Sequence, residues 1–81
     1  MTIDIQRLRA DTPGCLARVH LNNAGSALMP LPVVRTILEH IGLESRIGGY
    51  EAEQAREDRV QDAYRAVADL LGAQPSNIAF T

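Results

Sequence analysis

The stretch HLNNAGSALMP, residues 20–30, carries the most specific pattern in this chain. Just before and inside it, the apolar residues Val19 and Leu21 flank a histidine, an alternation typical of a short β-strand. Two asparagines and a run of small residues follow directly. Small residues allow a ligand or another backbone to approach closely, and an asparagine amide can orient a polar group. We therefore expect a strand over 18–22 that ends at a functional turn.

The length suffices for one small domain, and the composition is that of an ordinary soluble protein. The chain has 81 residues, 46% hydrophobic and 22% charged, with a formal net charge of -2. Its scattered arginines and mild acidity argue against a nucleic-acid partner, because phosphate neutralisation needs clustered basic residues. No apolar run approaches the ~20 residues that span a bilayer, and residues 1–15 lack a signal-peptide core. We therefore expect a cytoplasmic protein with no membrane partner.

The spacing of apolar residues predicts three helices. Asp4 is placed to cap a helix over 5–10, which a Thr-Pro-Gly sequence ends. A stripe of valines, leucines and isoleucines predicts a helix over 32–43, with a weak continuation through the next two residues. A longer helix is expected over 51–71, with Gly72 as its left-handed stop.

A second short strand is predicted over 78–81, where Ile78 and Phe80 alternate with smaller side chains. Two isolated strands leave backbone groups unpaired unless something covers them. The expected fold class is therefore mainly α with short strands, and we expect further polypeptide to complete it.

In order and spacing, these pieces resemble the N-terminal segment of the class V aminotransferase and cysteine desulfurase family, which are pyridoxal-phosphate enzymes of fold type I. The resemblance rests on residues 21–30, on a Gly-Gly-Tyr sequence over 48–50, and on the long helix followed by Pro75 and Phe80-Thr81. It implies that residues 1–81 are a single N-terminal segment of a larger enzyme with the α/β fold of aspartate aminotransferase. The Asn-Asn-Ala-Gly-Ser form is more similar to the epimerase-like and lyase-like branches than to the desulfurases.

The resemblance also implies roles for particular residues. The residues that would border the carboxylate of an amino-acid substrate are Asn23, Ala24, Gly25 and Ser26. Those of a loop that reaches towards the neighbouring subunit of a homodimer are Gly48, Gly49 and Tyr50. Thr81 would lie at the entrance to the cradle for the cofactor phosphate. The alternative for residues 23–26 is a tight turn that merely needs small residues. The alternative for residues 48–50 is a hinge between two helices.

The chain contains no lysine, whereas a pyridoxal-phosphate enzyme holds its cofactor as a Schiff base on a lysine. The resemblance therefore implies that pyridoxal 5′-phosphate binds in the remainder of the parent enzyme and that this chain alone is not catalytic. No catalytic residue or metal ligand is assigned, and His20 and His40 are given structural roles. The reaction stays open between transamination, desulfuration or another lyase reaction, and epimerisation.

A different class of function also fits the helix pattern. Two amphipathic helices in a hairpin leave apolar surface uncovered, which is typical of a small interaction module without catalytic activity. Such a module has no need for the Asn-Asn-Ala-Gly-Ser sequence.

Overall fold

The computed structural model describes residues 2–81, and 65% of the chain is helical. The α-helices within that range are α1 (Ile5–Ala10), α2 (Gly14–Ala17), α3 (Leu31–Ile47), α4 (Gly49–Ala55) and α5 (Glu57–Leu71). A 3₁₀ helix follows at Pro75–Asn77. None of the helices in residues 2–81 combines the length and the apolar character needed to cross a membrane.

The expected fold class, mainly α with short strands as part of an α/β fold, is wrong, because residues 2–81 contain no strand. Both segments predicted as strands have extended residues, such as Arg18 (φ -158°, ψ 159°) and Ile78 (φ -99°, ψ 131°). An extended backbone becomes a strand only when a second chain segment pairs with its N–H and C=O groups. Neither 18–22 nor 78–81 has such a partner within the described residues.

The chain divides into two compact units, residues 1–42 and 43–81. The first unit holds α1, α2, most of α3 and the loop between α2 and α3. The second holds the end of α3, both α4 and α5, and the 3₁₀ helix.

Helix α1 forms as its sequence predicts. The Asp4 carboxylate accepts a hydrogen bond from the backbone N–H of Arg7 at 3.1 Å, which satisfies one of the free donors at the helix start. The helix covers Ile5–Ala10, and Asp11 ends it. This prediction is confirmed in both its bounds and its cap.

The long helix predicted over 51–71 is wrong as a single element. It is interrupted at Arg56, whose φ of -110° and ψ of 13° separate α4 from α5. The sequence carries no sign of this break, because neither glycine nor proline lies near it. Helix α3 is longer than the predicted 32–43 and reaches Ile47.

Gly72 ends α5 in the left-handed conformation, with φ 68° and ψ 32°, as predicted. The N–H of Ala73 then reaches back to the carbonyl of Ala68 at 2.8 Å, which is the long bond of a Schellman motif. The following 3₁₀ helix packs on α5, so the chain turns back along the helix it has just left.

Only Ala52 and Ala68 are fully buried hydrophobic residues in the described chain. The accessible surface is 7081 Å². A folded monomer of this mass exposes about 4,800 Å², and two separate globules of half that mass would together expose about 5,800 Å². The chain therefore exposes more surface to water than a single globule of its mass or two globules of half that mass would.

The apolar stripes of α3 and α5 are mostly exposed. In α3, Leu38 is 62% and Ile41 57% exposed, and in α5 Leu71 is 68% exposed. Val34, Tyr64 and Val67 are intermediate. The helical periodicity of these side chains is present. The 3₁₀ helix and Phe80 cover only the part of α5 around Tyr64 and Ala68, and most of the apolar side chains of α3 remain exposed.

Candidate functional site

The small-residue sequence forms one closed turn over residues 22–26. The N–H of Ser26 donates to the carbonyl oxygen of Asn22 at 3.1 Å, which closes a five-residue α-turn. The residues of this turn are all exposed. The four residues assigned to substrate binding therefore lie together on one turn at the protein surface.

Gly25 lies close to the side chain of Asn22 within the turn. A Cβ atom there would lie 3.0 Å from both Oδ1 and Nδ2 of Asn22. The Asn22 amide therefore lies directly against the backbone of Gly25. Any substitution at Gly25 must displace this amide.

His20 bonds to the turn at two positions. Its ring atom Nε2 lies 2.8 Å from the carbonyl oxygen of Ser26, so the ring N–H donates to that oxygen. Its own carbonyl oxygen lies 3.4 Å from Nδ2 of Asn23, which is a long hydrogen bond. The sequence pattern did not point to this role, because nothing in the spacing of His20 and Ser26 marks them as partners.

The loop that carries the turn is also closed at its base. The backbone N–H of Leu31 donates to the carbonyl oxygen of Asp11 at 2.7 Å, so the end of α1 meets the start of α3. The side chain of Leu28 packs beside Gly14, where a Cβ would lie 3.4 Å from Leu28 Cδ2. Residues 12–30, which include α2, therefore form a connection with adjoining ends.

Turn 22–26 presents polar groups that have no protein partner. Among the residues that the structure describes, the backbone N–H groups of Asn23, Ala24 and Gly25 donate to no protein acceptor. Successive free N–H groups in a turn are the type of donor that binds an anionic oxygen. The side-chain amide of Asn23 lies in the same turn; one of its N–H groups donates to the His20 carbonyl oxygen, which leaves the other as a further donor.

The Gly-Gly-Tyr sequence lies in the second unit, at the start of α4. Gly48 separates α3 from α4 with φ 97° and ψ 157°, a conformation that is essentially restricted to glycine. Gly49 and Tyr50 already belong to α4, and the Tyr50 ring is 87% exposed. Of the residues 48–50 that the sequence offers as a hinge, only Gly48 therefore lies between the two helices.

Tyr50 lines an open groove on the second unit with a volume of about 530 Å³. The other residues along this groove are Glu51, Glu53, Gln54, Glu57, Val60 and Gln61. Its three carboxylates make it unsuitable for a phosphate group. Thr81 is exposed and follows Phe80, whose ring contacts Tyr64.

The described residues do not fit pyridoxal phosphate by themselves. The chain has no lysine to form the Schiff base, and the groove along α4 and α5 is acidic. No group of three or more metal-ligating side chains occurs within residues 2–81. A cofactor would therefore require groups from other polypeptide.

No protein-family model, curated protein or solved structure matches this chain.

Proposed function

We propose that this chain is a non-catalytic segment of a pyridoxal-phosphate-dependent enzyme of the class V aminotransferase family. In this proposal, turn 22–26 borders the carboxylate of an amino-acid substrate. The observation that carries it is the closed, exposed turn of small residues, in which Asn23, Ala24 and Gly25 keep their N–H groups free. Those residues are the same ones that resemble the family's substrate-binding segment.

The chemistry of a carboxylate suits this turn. Its oxygens are strong acceptors and need several donors from a surface that allows close approach. Ala24 and Gly25 present almost no side chain, and Asn23 adds an amide donor. The contribution of the chain is then to bind and orient the substrate.

In the proposal, the remaining parts of the enzyme come from other polypeptide. The cofactor supplies an electron sink for the substrate when bound, and the lysine that holds it lies outside these 81 residues. The exposed apolar faces of α3 and α5 support contacts with that polypeptide. Gly48, Gly49 and Tyr50 would lie at the interface of a homodimer, Thr81 would lie near the cofactor phosphate, and the parent enzyme would be cytoplasmic.

The second candidate is a helical interaction module without catalytic activity. The exposure of Leu38 and Ile41 on α3 favours it, because an uncovered apolar helix face is typical of a docking surface. This candidate gives no role to the free N–H groups of the turn. The two candidates differ in whether the turn binds an amino acid.

The DNA that follows codon 81 provides the decisive experiment. We expect an in-frame continuation with a Gly/Ala-Thr-Glu sequence and, later, a lysine. The protein expressed from that extended frame should show the absorbance of a lysine aldimine with pyridoxal phosphate, and replacement of that lysine by alanine should abolish it. A natural stop codon at position 82, or an extended protein that binds no cofactor, would favour the interaction module.

A further inference from the structure

We propose that His20 is the positioning residue of turn 22–26, and that it holds the turn in the conformation that receives a carboxylate. The positioning part stands on hydrogen bonds in the structure, whereas the carboxylate part rests on the proposed function. His20 itself does not touch the ligand in this proposal. Its ring acts through Ser26, whereas its backbone carbonyl, which any residue at position 20 would keep, accepts from Asn23.

The environment of His20 distinguishes it from its neighbours. Val19 is 85% and Leu21 89% exposed, whereas His20 between them is only partly exposed. The segment therefore directs the imidazole inward and leaves two apolar side chains in water. This arrangement is opposite to the usual preference of these residue types, and the ring's hydrogen bond to Ser26 accounts for it.

Ser26 is fixed at both of its backbone groups. Its N–H donates to Asn22 O at 3.1 Å, and its carbonyl oxygen accepts from His20 Nε2 at 2.8 Å. The first bond closes the turn, and the second joins the turn to the segment that precedes it. Without the second bond, only the long bond from Asn23 Nδ2 to the His20 carbonyl oxygen, at 3.4 Å, would join the turn to that segment.

A turn held in one conformation binds its ligand more tightly, because the ligand does not have to order it. Loss of the imidazole should therefore weaken binding at Asn23, Ala24 and Gly25. Helix content should change little, because the hydrogen bonds of His20 lie in the loop between α2 and α3 and involve no helical residue.

The hydrogen bond to Ser26 determines which nitrogen of the His20 ring carries the proton. A carbonyl oxygen only accepts, so Nε2 must carry the proton. Glutamine is the matched replacement, because its side-chain Nε2 donates from a similar reach. Leucine has a comparable volume and cannot donate. His20→Gln should therefore retain the turn, and His20→Leu should release it.

The experiment is NMR spectroscopy on the 81-residue chain and its two variants, with L-alanine as the probe and L-alaninamide as the control without a carboxylate. We expect L-alanine, but not L-alaninamide, to shift the backbone amides of residues 23–26 in the wild type and in His20→Gln. In His20→Leu, we expect the free-state shifts of these amides to change and the affinity for L-alanine to fall about tenfold, the ratio that corresponds to one lost hydrogen bond.

The outcomes separate this proposal from the proposed function. If His20→Leu leaves the amide shifts of residues 22–26 unchanged, or if His20→Gln disturbs them as much as leucine does, the positioning role is overturned. If the wild type ignores L-alanine while His20→Leu still disturbs the turn, the positioning role stands and the carboxylate site fails.

A direct measurement covers the case in which His20→Leu does not fold. Long-range ¹H–¹⁵N correlation of the imidazole at mildly alkaline pH reports which ring nitrogen carries the proton. We expect protonated Nε2 in the wild type. A ring protonated only on Nδ1 cannot donate to Ser26 and would overturn the proposal.

Discussion

The ring of Phe80 meets the ring of Tyr64 edge to face, with centroids 4.9 Å apart and planes at 72°. Tyr64 lies in the middle of α5, and Phe80 lies in the extended segment after the 3₁₀ helix. This contact holds residues 78–81 against α5 without any strand pairing. An edge-to-face pair contributes about 0.5–1.5 kcal/mol beyond the area that it buries.

We therefore expect Phe80→Ala to release the segment from α5 and to lower the free energy of unfolding by about 1 kcal/mol. NMR shifts of the Tyr64 ring protons check this directly, because loss of the neighbouring ring removes its ring-current effect. Tyr50→Ala is the control, since Tyr50 is exposed on α4. Tyr64 signals that are identical in Phe80→Ala and the wild type would contradict the contact.

Ala68 tests the packing between α5 and the segment that follows it. Its side chain is fully buried, so Ala68→Leu should cost about 1–3 kcal/mol through overpacking. Ala66→Leu, at an exposed position of the same helix, should change the free energy of unfolding by less than about 0.5 kcal/mol. Urea unfolding followed by circular dichroism compares the two. Equal effects would show that α5 does not bury the face that contains Ala68.

Gly48 and Gly49 provide a matched pair at the junction of α3 and α4. Gly48→Ala should destabilise the second unit by about 1–3 kcal/mol, because alanine rarely adopts φ 97°. Its Cβ would also lie 2.5 Å from Oε2 of Glu51.

Gly49→Ala should have the opposite effect. Gly49 is helical, and no neighbouring atom lies within 4 Å of the place that an alanine Cβ would take, so alanine should stabilise α4 by about 0.5–1 kcal/mol. Thermal unfolding followed by circular dichroism measures both variants. A Gly48→Ala protein as stable as the wild type would rule out the conformation of the junction described above.

Substitutions of Leu38 and Val67 test whether the apolar faces of α3 and α5 contribute to the stability of the isolated chain. Leu38 is 62% exposed, so Leu38→Ala should change the free energy of unfolding by less than about 0.5 kcal/mol. Val67 is half-buried on α5, and Val67→Ala should cost about 1 kcal/mol. A large loss for Leu38→Ala would show that another chain, such as a second copy, covers α3. Repeating the measurement over a range of protein concentrations distinguishes these cases.

Features set by neighbouring residues could be predicted from the sequence. The Asp4 cap of α1 and the left-handed Gly72 each depend on a few residues around them. The Asp62–Arg65 pair on α5, which helical spacing also indicates, forms at 2.5 Å. Each of these features follows from side-chain chemistry and helix geometry alone.

Features that depend on distant segments could not be predicted. Residues 18–22 and 78–81 have strand-like sequences, but a strand needs a partner, and local sequence does not supply one. The bond between Asp11 and Leu31 joins residues that no spacing rule connects. The turn at 22–26 was expected from its small residues, whereas its link to His20 became visible only in three dimensions.

The bond between Asp11 and Leu31 has a consequence for variation in chain length. Because the two ends of residues 12–30 already adjoin, the separation of α1 and α3 at this point does not depend on how many residues lie between them. Insertions or deletions near Val19 would leave the junction of the two helices in place. A head-to-tail cyclic peptide of residues 11–31 would accordingly be a minimal carrier of the asparagine turn.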